Sequence, residues 1–247
     1  MSGYVLGFNC YMQDAAACLL QDGRVVAAVE EERLSRNKHT GEFPVQAIQW
    51  CLKNAGISTA ELDHVAFNMQ PWNGMATRVW QLISGLPRSI ATFGSRGANW
   101  WGMVNAKNHF EKQIGGGKYQ WHWIAHHDAH AASALLPSGF ENAAVLVVDG
   151  SGELASSSWY NAKAGQLDRL GQLNFPHSYG YFYSALTQWL GFKPAVHEGK
   201  TMGLAAHGEA DPALLAHFRD MIEGEGRINP KWFRYQYGGN QYFSPLW

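Results

Sequence analysis

One arrangement of short strands occurs twice in this chain, and it limits the folds open to it more than any other feature. Near the start, YVLGF and AACLL are apolar runs, and RVVAAVEE alternates around Val25, Ala27 and Val29. A polar loop, Asn9 to Asp14, separates the first two, and Asp22-Gly23 marks a hairpin turn between the last two. From residue 144 the order returns. AAVLVVDG reads as a buried strand, SGE as a tight polar turn, ASSSWYNA as a second strand, KAG as a turn and QLDRLGQLNF as a third strand. The repeat is one of pattern, not of residue identity.

The segment between the repeats supplies helices. EERLSRNKHTGEF is charged and reads as irregular. Pro44 then opens a helix, PVQAIQWCLKNAG, with Val45, Ile48, Cys51 and Leu52 on one face and Gly56 at its stop. STAELD is a capping start and HVAFNM a short strand. Between Gly74 and Gln113 the pattern predicts two helical stretches, separated near FGSRGAN, with Pro87 breaking or kinking the first. YQWHWIA is a strand by its aromatic and β-branched content, and HDAHAASALL a helix. PSGFENA is a turn cluster that marks a lobe boundary. Beyond the second repeat, SYGYFYSALTQWLG is a helix capped by Ser178 and ended by Gly191. HEGKTMGLAAHG follows, and the tail is aromatic and irregular.

A βββαβαβα order followed by a second βββ is the layout of the actin/Hsp70/sugar-kinase class. The expected fold is therefore α/β, with mixed sheets flanked by helices. A complete first lobe would occupy residues 1–138 and a partial second lobe residues 139–247. In that class the first loops of both lobes face the ligand, although fold alone does not give function.

Composition excludes several classes. Hydrophobic residues are 46% and charged residues 16%, as in a folded chain. The formal net charge of −1 gives no footprint for nucleic acid or an anionic membrane. No segment approaches the roughly 20 apolar residues of a membrane span, and the N-terminus does not read as a signal peptide. The three cysteines, Cys10, Cys18 and Cys51, form no CxxC pair or disulfide framework, so a reducing, cytoplasmic setting is expected.

Four stretches carry chemistry. On a helix, His126 and His130 stand one turn apart on one face, a spacing that lets two imidazoles share a metal. Asp149 ends the apolar run VLVVD and is the candidate third ligand, because a carboxylate there must be paired or coordinated. The bland alternative is that these histidines only cap a helix. Second, Gly150, Ser151 and Gly152 can bring backbone N–H groups close to a phosphate, or simply make a hairpin turn. Third, Arg33, Arg36 and Lys38 can neutralise a phosphate, or belong to a solvated charged loop. Lys200, in HEGKTMGLAAHG, can contact a ligand or stand where the chain merely turns.

Taken together, EERLSRNKH…FP, HHDAHAASALL, VVDGSGE and EGKTMGLAAHG, in this order and spacing, resemble the O-carbamoyltransferases of the nodulation, tobramycin and cephamycin type. The likeness runs through essentially the whole chain. It implies a divalent transition metal, iron by analogy, on His126, His130 and Asp149, with a further aspartate ligand beyond Trp247. It also implies ATP and carbamoyl phosphate as the sources of carbamoyl adenylate, and a small-molecule acceptor bearing a hydroxyl group. Lys38 matches an active-site lysine, and Gly150, Ser151, Gly152 and Lys200 fall near the nucleotide. The adenylate-forming domain is not in this sequence, so it is expected in cis on a longer chain or on a partner chain.

One departure bears on the chemistry. Where the family usually has His-Asp-Ala-Ser, this chain has Gln13-Asp14-Ala15-Ala16. Glutamine hydrogen-bonds but takes no proton at neutral pH. Gln13 and Asp14 are thus candidate transfer-site residues in a site whose base is undetermined. Two other readings stay open: a non-catalytic binding relative of this fold, and a phosphotransferase or ATPase of the same fold class.

Overall fold

The computed structural model describes residues 3–84, 86, 90–237 and 241–247. In chain order its first elements are β1 (Tyr4–Asn9), β2 (Ala16–Gln21), β3 (Arg24–Glu30), α1 (Glu31–Ser35), α2 (Val45–Ala55) and β4 (Leu62–Phe67). Then come α3 (Met75–Ser84), α4 (Ile90–Val104), α5 (Ala106–Gln113), β5 (Gln120–Trp123), α6 (His126–Leu135), β6 (Asn142–Val148), β7 (Ala155–Lys163) and β8 (Gln166–Asn174). Last are α7 (Tyr179–Trp189), α8 (Glu198–Ala205), α9 (Pro212–Arg219) and a short β9–β10 pair, Ile222–Glu223 with Arg227–Ile228. The α/β class with mixed strands is as the sequence pattern indicates.

Two compact units divide the chain: residues 1–73 with 94–126, and residues 74–93 with 127–247. The division differs from the 138/139 boundary read from the turn cluster. Its cause is α6, whose Ala131 and Leu135 share one apolar cluster with Val145, Val147, Tyr160 and Ala162. That helix is tied to the strands that follow it.

In the first unit the sheet order is β3-β2-β1-β4-β5. β1, β2 and β3 form an antiparallel meander, and β4 and β5 run parallel to β1. Strand alternation sends Leu6 and Phe8 inward, and Leu6 pairs with Leu19 on one side and Val65 on the other. Asp22 and Gly23 both take positive φ, 53° and 80°, as the two-residue hairpin turn requires. α2 lays Ala47, Ile48, Cys51 and Leu52 against this core, and Gly56 closes it in the left-handed region. Burial pushes the Cys51 thiol up to about 11, and also raises Cys10 and Cys18, so all three cysteines are free and protonated.

Four segments differ from the sequence reading. Glu31 to Ser35 forms a short helix rather than an irregular stretch. α4 runs without a break through FGSRGAN and an interruption falls at Asn105, so the described residues from Met75 to Gln113 form three helices. Each helical glycine costs only about 1 kcal/mol, too little to stop a long apolar helix. Pro87 lies outside the described residues. β6 is buried on one face only, since Leu146 and Val148 are 69% and 53% exposed. HEGKTMGLAAHG is largely helix, α8, rather than a place where the chain merely turns.

The second unit has the antiparallel sheet β6-β7-β8, turned at Ala164 and Gly165 with φ of 49° and 76°. Its other cluster gathers Ala185 of α7 with Met221, Ile228, Phe233 and Tyr235. The irregular tail is packed here: Phe233 bridges Phe243, and Trp247 donates from its ring nitrogen to the Trp232 carbonyl at 2.6 Å.

A buried carboxylate starts α2. Pro44 stands at the cap position with no side-chain hydrogen bond. Glu31, 5% exposed, instead accepts from the N–H groups of Ala47 at 2.7 Å and Gln46 at 3.3 Å. Truncating it strands those donors. Glu31→Ala is expected to lower the unfolding free energy by about 1–3 kcal/mol, with Glu31→Gln in between, measured by denaturant titration. Equal stability of all three proteins would remove this role.

Candidate functional site

Two groups of polar residues stand near strand ends, one on the loops after β1 and α1, the other on α6 and the end of β6. In the first unit the β1–β2 loop and the loop after α1 run side by side. Tyr11 donates its N–H to the Gly41 carbonyl at 2.6 Å, and Ala15 donates to Thr40 at 2.8 Å. A Cβ on Gly41 would lie 2.0 Å from the Met12 carbonyl oxygen, so only glycine permits this approach. Tyr11, Asp14, Arg36 and His39 all take positive φ, a concentration of strained backbone typical of functional loops.

These loops carry Gln13, Asp14 and Lys38, all exposed. The structure adds His39, whose Nδ1 lies 2.8 Å from Asp14 Oδ1 although 25 residues separate them. An ionised carboxylate only accepts, so in this contact His39 donates from Nδ1, and Nε2 is the ring nitrogen left to exchange a proton with a ligand. The His39 N–H also binds Glu32 at 2.9 Å, and this contact holds the Glu32 carboxyl below its usual range, with Arg33, His39 and Lys38 adding to it. Asp14, Glu32 and His39 offer ligand atoms within 4.8 Å of one another, but on a mostly exposed surface. The sequence held a signal for His39, since it directly follows Lys38; the Asp14 contact gives that histidine its meaning.

The second group is the one the HxxxH spacing predicts. α6 puts His126 and His130 on consecutive turns, and Asp149 follows β6 directly. One ligand atom from each of the three lies within 4.8 Å of the others. Two imidazole nitrogens and a carboxylate oxygen are the donor set of mononuclear iron and zinc sites with open positions. The residues present therefore fit the metal that the motif suggests.

The neighbouring polar residues have other partners. His127 is buried, with Nδ1 2.8 Å from Ser158 Oγ. Asp128 accepts from Arg169 at 2.6 Å and from the Tyr160 hydroxyl at 3.0 Å, while burial and this carboxylate raise the Tyr160 phenol. His122, in the first unit, meets His64 at 3.0 Å.

The turn after Asp149 is built tightly. Gly150 donates to Asp149 Oδ1 at 2.6 Å and Gly152 to the Ala155 carbonyl at 2.8 Å. Two of the three N–H groups from Gly150 to Gly152 are thus used within the turn, where an anion nest would aim them at a ligand. Ser178 locks the turn from the side: its Oγ donates to the Gly150 carbonyl at 2.6 Å and accepts from Tyr181 N–H, capping α7. Lys200 is exposed on α8, with Nζ 3.2 Å from His197 Nε2.

A family model described as Carbamoyltransferase N-terminus matches residues 4–242. The chain belongs to this family. The Synechocystis sp. protein sll1178 is 37% identical over 246 residues, covering 95% of this chain and 40% of that protein. Nodulation protein NolNO of Sinorhizobium fredii is 32% identical over 239 residues, 92% of this chain and 33% of that protein. The chain thus spans well under half the length of these relatives. Among solved structures, YeaZ from Pseudomonas aeruginosa covers 72% of this chain and 68% of its own at 15% identity and a TM-score of 0.38. Among the described residues no helix is long and apolar enough to cross a membrane.

Gly180 tests the turn. A Cβ there would lie 2.5 Å from the Asp149 carbonyl carbon and the Gly150 nitrogen, whereas one on Gly203 meets nothing within 4 Å. Gly180→Ala is expected to cost about 1–3 kcal/mol and Gly203→Ala to be neutral or stabilising, read as shifts of the denaturation midpoint. Equal behaviour of the two would mean the turn does not depend on this contact.

Proposed function

We propose that this chain is the N-terminal, acceptor-side part of an ATP-dependent O-carbamoyltransferase with an actin-like fold. The observation that carries the reading is the family match across residues 4–242. The strand order β3-β2-β1-β4-β5, followed by a second three-stranded meander, supports a complete first actin-like lobe and the start of a second. Carbamoyl adenylate, made from ATP and carbamoyl phosphate by a region outside this chain or on a partner, is the donor. The acceptor is a small molecule with a free hydroxyl.

The transfer step balances as follows. The acceptor oxygen attacks the carbamoyl carbon, and the bond from that carbon to the phosphate oxygen of AMP breaks. The hydroxyl proton must go to a base, and AMP leaves as an anion. Lys38 offers positive charge for the developing oxyanion or the phosphate. Gln13 positions the carbamoyl group by hydrogen bonding and takes no proton. The Asp14–His39 pair supplies the base: the carboxylate orients the ring and leaves Nε2 to receive the proton.

His126, His130 and Asp149 would hold a divalent transition metal, with iron favoured by the two-histidine, one-carboxylate donor set. Such an ion would supply positive charge for a phosphate-bearing substrate. Gly150, Ser151, Gly152 and Lys200 lie on the segments assigned to the nucleotide. The low net charge supports an enzyme acting on small molecules, not nucleic acid.

In the full-length protein, ATP, carbamoyl phosphate and a hydroxyl acceptor should yield AMP and a carbamate ester. Release of ADP instead would favour a phosphotransferase, and no turnover at all would favour a binding relative. His39→Gln should slow ester formation by about 10²–10⁴ while adenylate formation continues; unchanged transfer would exclude the pair as base. A marked gain on Gln13→His would show that the glutamine limits transfer. Elemental analysis after anaerobic, chelator-free purification should find about one transition metal per chain, lost in the His126→Ala, His130→Ala double variant. Metal absent from both proteins would sink the assignment.

A further inference from the structure

A cleft of about 810 Å³ opens within the first unit, against the paired loops. That volume suits a ligand of one or two sugar-sized rings. Met12 and Gly41 line it, and these residues neighbour Gln13 and the His39–Thr40 stretch. A molecule seated there lies on the same two loops that carry Gln13, Asp14, Lys38 and His39.

The lining has a defined chemistry. Phe43 and Tyr11 offer aromatic surface, while Gln46, Gln113 and His109 offer hydrogen-bonding groups. Such a mixture of ring faces and amides suits a hydroxylated ring, which has apolar C–H faces and a polar edge. The aromatic wall is fixed in place. The Tyr11 hydroxyl lies 2.5 Å from His109 Nδ1, and both Tyr11 and Phe43 meet the His109 ring edge-on. Burial raises the Tyr11 phenol, so it stays protonated.

Charge narrows the ligand further. Among the described residues the charged ones that line the cleft are Glu31 and Glu42, with no lysine or arginine beside them. The Glu31 carboxylate is buried on the α2 backbone. Glu42 is exposed, and among the described residues it makes no ion pair. Among the described lining residues an anionic ligand would meet two carboxylates and no lysine or arginine. A basic group would find Glu42 available.

We propose that this cleft is the acceptor site, that it takes a hydroxylated ring carrying no negative charge, and that Glu42 sets this charge preference. The assignment of the ligand as acceptor rests on the carbamoyltransferase reading; the charge preference does not.

Three monosaccharides of similar ring and different charge test it: glucosamine, glucose and glucuronate. Binding to the full chain is read by ligand-observed NMR, which detects millimolar affinities. Glucosamine and glucose should bind, with glucosamine the tighter by roughly two- to fivefold, the scale of one exposed charge pair. Glucuronate should bind weakest. Glu42→Gln should bring glucosamine down to glucose, and Glu42→Lys should reverse the order of glucosamine and glucuronate, with glucose little changed. Failure of all three sugars to bind, glucuronate binding as well as glucose, or an order unmoved in both Glu42 variants would overturn the proposal. If the sugars bind as expected but the full-length protein forms no carbamate ester, the enzymatic reading fails and the ring-binding cleft stands. If ester forms while the Glu42 variants leave the charge preference unchanged, the cleft assignment fails alone.

Discussion

A single buried carboxylate ties the first unit together. Glu31 follows β3 directly, and its own N–H donates to the Ala15 carbonyl at the end of the β1–β2 loop. Its side chain reaches forward to the first turn of α2. Removing a carboxylate from water costs several kcal/mol unless its oxygens are satisfied. Two backbone N–H groups at a helix N-terminus provide that satisfaction, because the peptide dipoles there favour negative charge. One residue thus fixes the end of the meander, the start of the helix, and the loop strung between them. Lys38 and His39 are on that loop, so the candidate transfer residues inherit their position from a structural carboxylate.

The second unit reaches a comparable result by different means. Asp149 directly follows β6; its N–H still donates to the Ser156 carbonyl at 2.9 Å, and the chain then turns. The turn is held by Ser178, whose hydroxyl serves two carbonyls and one N–H. The close contact at Gly180 then sets the start of α7 against it. Opposite Asp149, α6 presents histidines one turn apart. Its own anchorage comes from Ala131 and Leu135 packing on β6 and β7. The donor set on the proposed metal therefore depends on packing beneath it as much as on the three ligands.

Much of this was legible in the sequence because it is local. Strand periodicity, the positive-φ hairpin pair Asp22-Gly23, Ser58 with Glu61, and the Gly56 stop each depend on a few adjacent residues. His126, His130 and Asp149 were legible for the same reason, since helical spacing and an acidic strand end are local patterns. What escaped is non-local or only weakly opposed. The glycines of α4 suggested a break, but their intrinsic cost is small beside the cooperativity of a long helix. Glu31 looked like one more charge in a solvated run, and only the fold brings Ala47 to it across 16 residues. The pairing of Tyr11 with His109 crosses 98 residues, and no spacing rule anticipates it.

The same contrast applies to the missing histidine. Read by motif, Gln13 in place of histidine suggests a site deprived of its base. Read in three dimensions, the residue after it holds an imidazole through Nδ1, on a loop already committed to the site by backbone hydrogen bonds. A base needs an unprotonated nitrogen, a fixed ring and access to the reacting hydroxyl, and no particular position in the chain. The Asp14 contact at Nδ1 fixes the His39 ring and leaves Nε2 as the nitrogen that faces away from it, and exposure of the pair permits access. On the proposed reading, the substitution at Gln13 therefore moves the proton acceptor across the loop pair without requiring its loss.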